Sequence, residues 1–368
     1  MTDSLTLNHA SRVLATITPE LRADAALRKY MGNVNRLGPR EKRAVSRAVF
    51  TYFRWLLWLD EKASAQKQVE EALKLQERFD KNPQSVKIET LAARAVPTWA
   101  RNEVDFPAET LRQLQSEPAL WLRARPGTAE KLASTLGNCE TTPHAPDALR
   151  YRGAQDLFLT PAFHNGSFEI QDLASQLVGL ACAPKPGETW WDACAGEGGK
   201  MLHLADLMQN KGLIWASDRS ERRLHTLKQR AARAKVFNFR TALWDGSAKL
   251  PTKTKFDGIL VDAPCSGIGT WQRNPHARWT TSADDVTELA AVQRLLLENV
   301  AGSLKPGGRL VFAVCTLANS ETTAIANAFA AAHPELEPIP VLEKSPQLIL
   351  WPHEYTANGM FLAAWKKK

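Results

Sequence analysis

Two cysteines of this chain stand where a thiol can do chemistry. Cys265 follows a proline in Asp262-Ala-Pro-Cys-Ser-Gly-Ile-Gly269, and Cys315 closes the apolar run Phe312-Ala-Val-Cys315 just before Thr316. Each ends a short segment of strand character and is followed by polar or glycine-rich residues. A thiol attacks as the thiolate, and such a turn gives it access and room for the cations that favour ionisation. Cys182 and Cys194 are read as small buried hydrophobes, the usual state of a cysteine. Beyond Cys265 the chain continues Thr-Trp-Gln-Arg-Asn-Pro-His-Ala-Arg-Trp279, so Arg273, Arg278 and two tryptophans lie close in sequence to the thiol.

A second group of chemistry-bearing residues precedes these. Asp192-Ala-Cys-Ala-Gly-Glu-Gly-Gly-Lys200 joins an apolar run to a helical pattern. Glycines 196, 198 and 199 permit a tight turn and a close backbone approach to a ligand, and the helix start offers free amides. No Ser or Thr follows Lys200, so this is not a P-loop. The next apolar run ends in Asp218, which can accept both hydroxyls of a ribose, and the one after ends in Trp244-Asp245-Gly246, able to flank an adenine. The glycine turn alone also fits a dinucleotide; with two acidic strand ends it describes an adenosine-containing cofactor.

The elements that must position these residues follow from periodicity. Residues 8–95 are poor in glycine and read as a run of helices, with a joint around 82–97. In the helix expected at 39–57, Val45, Val49, Tyr52 and Leu56 share one face and Arg40, Arg43, Arg47 and Arg54 the other. That arginine face is either a solvated helix surface or a phosphate-tracking one. A strand at 118–125 and a helix at 128–136 mark a small α+β unit. After Gly166, short apolar runs at 189–192, 213–218, 239–244, 256–262 and 309–314 alternate with helical segments, notably 221–235 and 283–304. This alternation predicts a parallel doubly wound sheet, whose ligands bind outside the carboxyl ends of the strands. Lys305-Pro-Gly-Gly308 is a turn into the last of these strands, and 348–365 reads as a hairpin turning at Asn358-Gly359. The expected domains are 1–97, 98–165 and 166–368.

Composition narrows the function classes. The chain has 368 residues, 44% of them hydrophobic and 23% charged, as expected of a folded protein with its own core. No run approaches the roughly 20 apolar residues of a membrane span, and the first fifteen residues lack a leader pattern, so a cytoplasmic location is expected. Five cysteines with no C-x-x-C pair argue against a disulfide scaffold and a structural zinc site, and no metal is expected. A net charge of +8 favours a polyanionic partner.

The motifs together resemble the RsmB-type family of RNA 5-methylcytosine methyltransferases, which includes bacterial 16S ribosomal RNA enzymes and nucleolar relatives. The resemblance runs from Phe168-Glu-Ile-Gln-Asp-Leu-Ala-Ser-Gln176 to Trp351-Pro-His353 and Gly359-Met-Phe361. Its most specific part is Asp262-Ala-Pro-Cys-Ser-Gly-x-Gly-Thr270 with the trailing Arg-x-Pro-x-x-Arg-Trp279. It implies an α/β fold: a Rossmann-like domain at 166–368 that uses S-adenosylmethionine, a NusB-like helical RNA-binding domain at 1–97 and an RRM-like subdomain at 98–165. It also implies roles. The turn of Asp192, Cys194, Ala195, Gly196, Glu197, Gly198, Gly199 and Lys200 would hold the methionine moiety. Asp218 and Arg223 would sit at the ribose, Asp245 and Gly246 by the adenine, and Asp262 and Pro264 beside them. Cys315 would be the nucleophile, Cys265 the aid to product release, Asp262 a contact of the cytosine edge and Lys200 the residue that positions the crevice acids. Arg40, Arg43, Arg47, Arg273 and Arg278 would bind RNA, and a monomer is favoured.

The chain departs from the family pattern in three places. Val314-Cys315-Thr316 stands for Thr-Cys-Ser, Glu321-Thr322-Thr323 for Glu-Asn-Glu, and Glu197 for the usual proline of the cofactor turn. Carbon 5 of cytosine is a poor nucleophile until a thiolate adds to carbon 6, which is why this chemistry needs Cys315. The alternatives are a transfer RNA cytosine methyltransferase, a DNA cytosine methyltransferase with the Pro-Cys thiol as nucleophile, and a non-catalytic RNA-binding assembly factor. Retention of both thiols speaks against the last.

Overall fold

The computed structural model describes residues 3–34 and 37–368. Met1, Thr2, Asn35 and Arg36 lie outside the described residues, and with them part of the leader reading and the first bound of the 1–97 domain. The chain divides into two compact units.

The first unit holds the residues up to Pro118 and, from far along the sequence, Ile268–Ala283. Its helices include Ser4–Leu14, Ala23–Asn33, Pro39–Arg54 and Ala65–Lys81. Their starts are set locally: the Asp3 carboxylate accepts from the Leu5 N–H, Ser64 caps through its hydroxyl, and Glu41 reaches back to the Gly38 N–H at 2.6 Å. Leu7, Ala10, Val13, Val45, Ala48, Val49, Phe53 and Val69 meet in one cluster. Each large apolar side chain buried there stabilises the unit by about 1.5–3 kcal/mol.

The arginine face is less uniform than its periodicity suggests. Arg40 and Arg43 are exposed, whereas Arg47 is ion-paired with Asp80 and Glu117. Arg54 is buried, its guanidinium donating to Thr51 and Gln76. Arg54 therefore does not belong to a solvated stripe: it lies in the last turn of its helix, where the neighbouring helix covers it.

The second unit begins with β1 (Leu120–Ala124), β2 (Cys139–Thr141), β3 (Ala148–Tyr151) and β4 (Phe168–Ile170), an antiparallel sheet in the order β2-β3-β1-β4 with the helix Ala129–Leu136. The main sheet follows with β5 (Thr189–Asp192), β6 (Leu213–Asp218), β7 (Phe239–Leu243), β8 (Phe256–Asp262), β9 (Leu304–Val314), β10 (Leu336–Pro338), β11 (Gln347–Leu350) and β12 (Met360–Lys367). Its order is β10-β12-β9-β8-β5-β6-β7, with β11 on β12. Strands β7, β6, β5, β8 and β9 run parallel, and β12 returns antiparallel to β9. Period-2 alternation splits the buried residues: Trp190, Leu260, Val311 and Leu362 pack on one face, and Trp191, Val261, Phe312 and Phe361 on the other. The chain leaves β5 toward β6 and β7, then returns on the opposite side to β8 and β9. The order thus reverses between β5 and β8, which opens a crevice at their carboxyl ends.

Two local expectations change. Lys305-Pro-Gly-Gly308 does not precede a strand but is looped out within β9, where pairing with β8 jumps from Phe256–Leu304 to Gly258–Arg309. The terminal hairpin does not turn tightly at Asn358-Gly359. A helical turn, Pro352–Tyr355, separates β11 from β12, and the Asn358 N–H donates to Asp172 at 3.1 Å.

Among the described residues no helix is long and apolar enough to cross a membrane, and no cluster of three or more His, Cys, Asp or Glu could hold a metal ion.

Candidate active site

The site grows from the carboxyl ends of β5, β6, β8 and β9. Asp192 ends β5 fully buried, and neither of its carboxylate oxygens has a hydrogen-bond partner. Burial, with the Asp262 charge adding, pushes its acid up to about 8. The turn that follows needs its glycines. Gly196 has φ 55° and Gly198 φ 85°, and a side chain on Gly198 would meet Leu227 at 2.6 Å. On Gly196 it would meet nothing within 4 Å, so the turn is open on that side. The helix Gly199–Leu207 starts at once, with its first amides at the crevice.

Asp218 ties β6 to this turn. One oxygen accepts the Gly196 N–H at 3.0 Å and the other the Ser220 N–H at 2.8 Å. Arg223 is exposed, 4.0 Å from the same carboxylate. Asp245 lies exposed past β7, its carboxylate taken by the Ser247 N–H, while the Gly246 carbonyl accepts from Asn299 at 2.7 Å. The turn is also held from behind by residues whose roles sequence reasoning did not assign. Gln171 donates to the Gly199 carbonyl at 3.3 Å and Arg230 to that of Glu197 at 3.0 Å. Arg230 and Arg233 both rest on the buried Glu169. Only the resemblance at 168–176 pointed to this strand, since its hydrogen bonds are tertiary.

The candidate catalytic side chains come together. Lys200 Nζ lies 2.7 Å from Asp262 Oδ2, and Cys265 Sγ 3.4 Å from Cys315 Sγ. Burial opposes the Lys200 charge, but Asp262 beside it outweighs burial and raises its basicity, with Cys315 and Asp192 adding to the effect. The Cys265 thiol is pushed well up, first by its hydrogen bond to Cys315 and then by burial. At that separation either sulfur can donate to the other. Pro264 joins the site through its backbone, its carbonyl accepting from Gln293 at 3.0 Å. Cys194 and Ala195 lie within the turn as small, largely buried side chains.

The proposed RNA-binding arginines belong to the first unit. Arg273 is exposed there. Arg278 is not available to phosphate: it is fully buried and donates to the carbonyls of Ala95 at 2.8 Å and Leu114 at 2.9 Å, and to Gln115. Burial without a carboxylate partner lowers its guanidinium to about 9. Trp279 beside it donates to the Phe53 carbonyl at 2.7 Å. Both residues anchor the segment that follows the Pro-Cys turn among the helices.

Residues 179–366 match the family of 16S rRNA methyltransferases RsmB/F. The probable ribosomal RNA small subunit methyltransferase B of Bacillus subtilis is 36% identical over 57% of this chain and 50% of its own length. The Synechocystis protein of the same name is 33% identical over 73% and 64%, and the Shewanella oneidensis methyltransferase B 31% identical over 76% and 69%. The chain thus spans between 50% and 69% of the length of these relatives. Among solved structures, PH0851 superposes with a TM-score of 0.80 at 23% identity over the whole of both chains. NSun6 from Pyrococcus horikoshii with SFG, an S-adenosylmethionine analogue, gives 0.63 at 21% identity over 70% of this chain and 93% of its own. Both likenesses are of fold.

Proposed function

The chain belongs to the RsmB/F family of 16S rRNA methyltransferases, and on that premise we propose that it methylates carbon 5 of a cytosine in 16S ribosomal RNA from S-adenosylmethionine. The observation that carries the reading is the pair of sulfurs, 3.4 Å apart, at the ends of the adjacent strands β8 and β9. A binding module has no use for two such thiols.

The crevice fits the cofactor. The unpartnered buried carboxylate of Asp192, the open turn at Gly196 and the acid of Asp218 suit a ligand with a cationic amino-acid end and a ribose. When bound, S-adenosylmethionine supplies an electrophilic methyl group.

The protein does the rest. The Cys315 thiolate bonds to carbon 6 of cytosine, moving an electron pair toward ring nitrogen 3 and making carbon 5 nucleophilic enough to take the methyl group. Asp262, paired with Lys200, accepts rather than donates as it stands. The proton for nitrogen 3 therefore comes from the Lys200 ammonium by way of the Asp262 carboxylate. Once Cys315 is bonded to carbon its charge is gone, and with it the main cause that holds the proton on Cys265. Cys265 then loses that proton to solvent and takes the one on carbon 5. The ring double bond reforms, Cys315 leaves as the thiolate, and ring nitrogen 3 returns its proton through Asp262 to Lys200. The base must be unstacked to be reached, at a cost of a few kcal/mol in a duplex. The first unit, with Arg40, Arg43 and Arg273 exposed, serves as the RNA-binding part.

The test is separate substitution of the two thiols in the presence of RNA and S-adenosylmethionine. Cys265→Ala is expected to accumulate a covalent protein–RNA species resistant to denaturing gels, and Cys315→Ala neither adduct nor methylated product. The reverse pattern would overturn the assignment of roles.

A further inference from the structure

Each reactive cysteine is followed by a hydroxyl residue, and these two hydroxyls meet. Ser266 Oγ lies 2.8 Å from Thr316 Oγ1, and both side chains are buried. Beneath them sits Glu321, fully buried. Its carboxylate accepts the Ser266 N–H at 2.9 Å, the Ser266 hydroxyl, and the Gln293 amide at 2.9 Å. Gln293 also donates to the Pro264 carbonyl, and Thr316 accepts the Ala318 N–H at 3.2 Å.

We propose that Glu321 is a positioning residue whose carboxylate locks the turn after β8 to the turn after β9, and so holds Cys265 and Cys315 face to face. At least three donors converge on it. A carboxylate, with two oxygens and about four lone-pair sites, satisfies them all, whereas a methyl would leave them unpaired in the interior. A glutamine keeps one oxygen for the Ser266 N–H and Gln293 and turns its amide toward the Ser266 hydroxyl, which then donates to Thr316. This explains in physical terms why Glu321 stands where the next two residues depart from the family pattern. Thr316 in place of serine still brings the hydroxyl that the lock uses. The catalytic consequence rests on the two-thiol reading above; the juxtaposition of the sulfurs does not.

The experiment therefore begins without RNA. The 368-residue chain is treated with diamide, a diazene that takes one hydrogen from each thiol, becomes the hydrazine and leaves a disulfide. The Cys265–Cys315 linked peptide is followed by mass. The unsubstituted protein is expected to form it readily, Glu321→Gln within about threefold of that rate, and Glu321→Ala at least about tenfold more slowly, because a shift of about 1 Å is enough to cost rates of that order. Should Glu321→Ala not fold by circular dichroism, the Ser266→Ala/Thr316→Val double variant takes its place, with a slowing of about fivefold expected from loss of the bridging hydroxyls. Failure of the unsubstituted protein to form the disulfide, or a folded Glu321→Ala or double variant that forms it at the unsubstituted rate, overturns the proposal. In a second arm, methyl transfer to RNA by Glu321→Ala is expected to lose kcat with KM unchanged, and Glu321→Gln to recover it. If the disulfide rates order as expected while no protein, the unsubstituted one included, methylates RNA, the lock stands and the cytosine reading falls.

Discussion

Asp192 is a fully buried carboxyl at the carboxyl end of β5. Its folded acidity near 8 lies above the ordinary carboxylate value, so between about pH 4 and 8 the folded chain holds a proton that the unfolded chain has lost. The stability tied to the neutral form is complete below pH 4, declines as pH rises and is gone above 8. Asp192→Asn, which is neutral throughout, is therefore expected to gain in melting temperature over the unsubstituted protein as pH goes from 5 to 8, measured without cofactor. A constant difference would show that Asp192 ionises normally. Lys200→Met strands Asp262 without its cation and removes the proton source, so kcat is expected to fall by about 10²-fold or more while the fold persists, read in single-turnover methylation. Cys265, Cys315, Lys200 and Asp262 were legible in the sequence because thiol, cation and acid stand next to turns that end apolar runs. The part played by Glu321 was not, since it arises from hydrogen bonds to residues 28 and 55 positions away. Arg278 was misread for a related reason: beside the Pro-Cys turn, a guanidinium that faces phosphate and one that faces backbone carbonyls look alike in sequence.

Strands β5, β6 and β8 fall where the apolar runs place them, because a parallel strand covered on both faces is almost continuously hydrophobic and turn residues cut it sharply. The elements that deviate are those whose limits depend on distant partners: the last turn of the Pro39–Arg54 helix, the looped-out turn of β9, and the helical turn before β12. The segment Ile268–Ala283 carries the clearest consequence. It follows the Pro-Cys turn directly yet packs with the helical unit, pinned there by Arg278. Arg278→Ala is expected to destabilise that unit by about 3 kcal/mol in urea unfolding, since several buried carbonyls lose their donor. Arg278→Lys is expected to recover little, because one ammonium does not reproduce the spread of the guanidinium fork. Arg40→Gln and Arg43→Gln, on the exposed side, are expected to change stability by less than about 0.5 kcal/mol.

For the whole molecule, with its net charge of +8, the proposed affinity for RNA is expected to depend on salt. Arg40→Gln and Arg43→Gln are each expected to reduce the slope of log affinity against log salt by about 0.7–0.9, whereas a folded Arg278→Lys leaves it unchanged because its side chain touches no phosphate. A slope insensitive to Arg40 and Arg43 would return that helix face to plain solvation. The proposed function turns on one act, the bonding of a single sulfur to a pyrimidine, and one measurement addresses it directly. The unsubstituted protein is incubated with S-adenosylmethionine and 16S ribosomal RNA containing 5-fluorocytidine, whose fluorine cannot be removed as a proton, so the enzyme stays bonded to the base. After digestion with nuclease and protease, the nucleotide-bearing peptide is expected to carry its mass on Cys315. A nucleotide on Cys265, or a chain that methylates RNA yet is never trapped, would contradict the account.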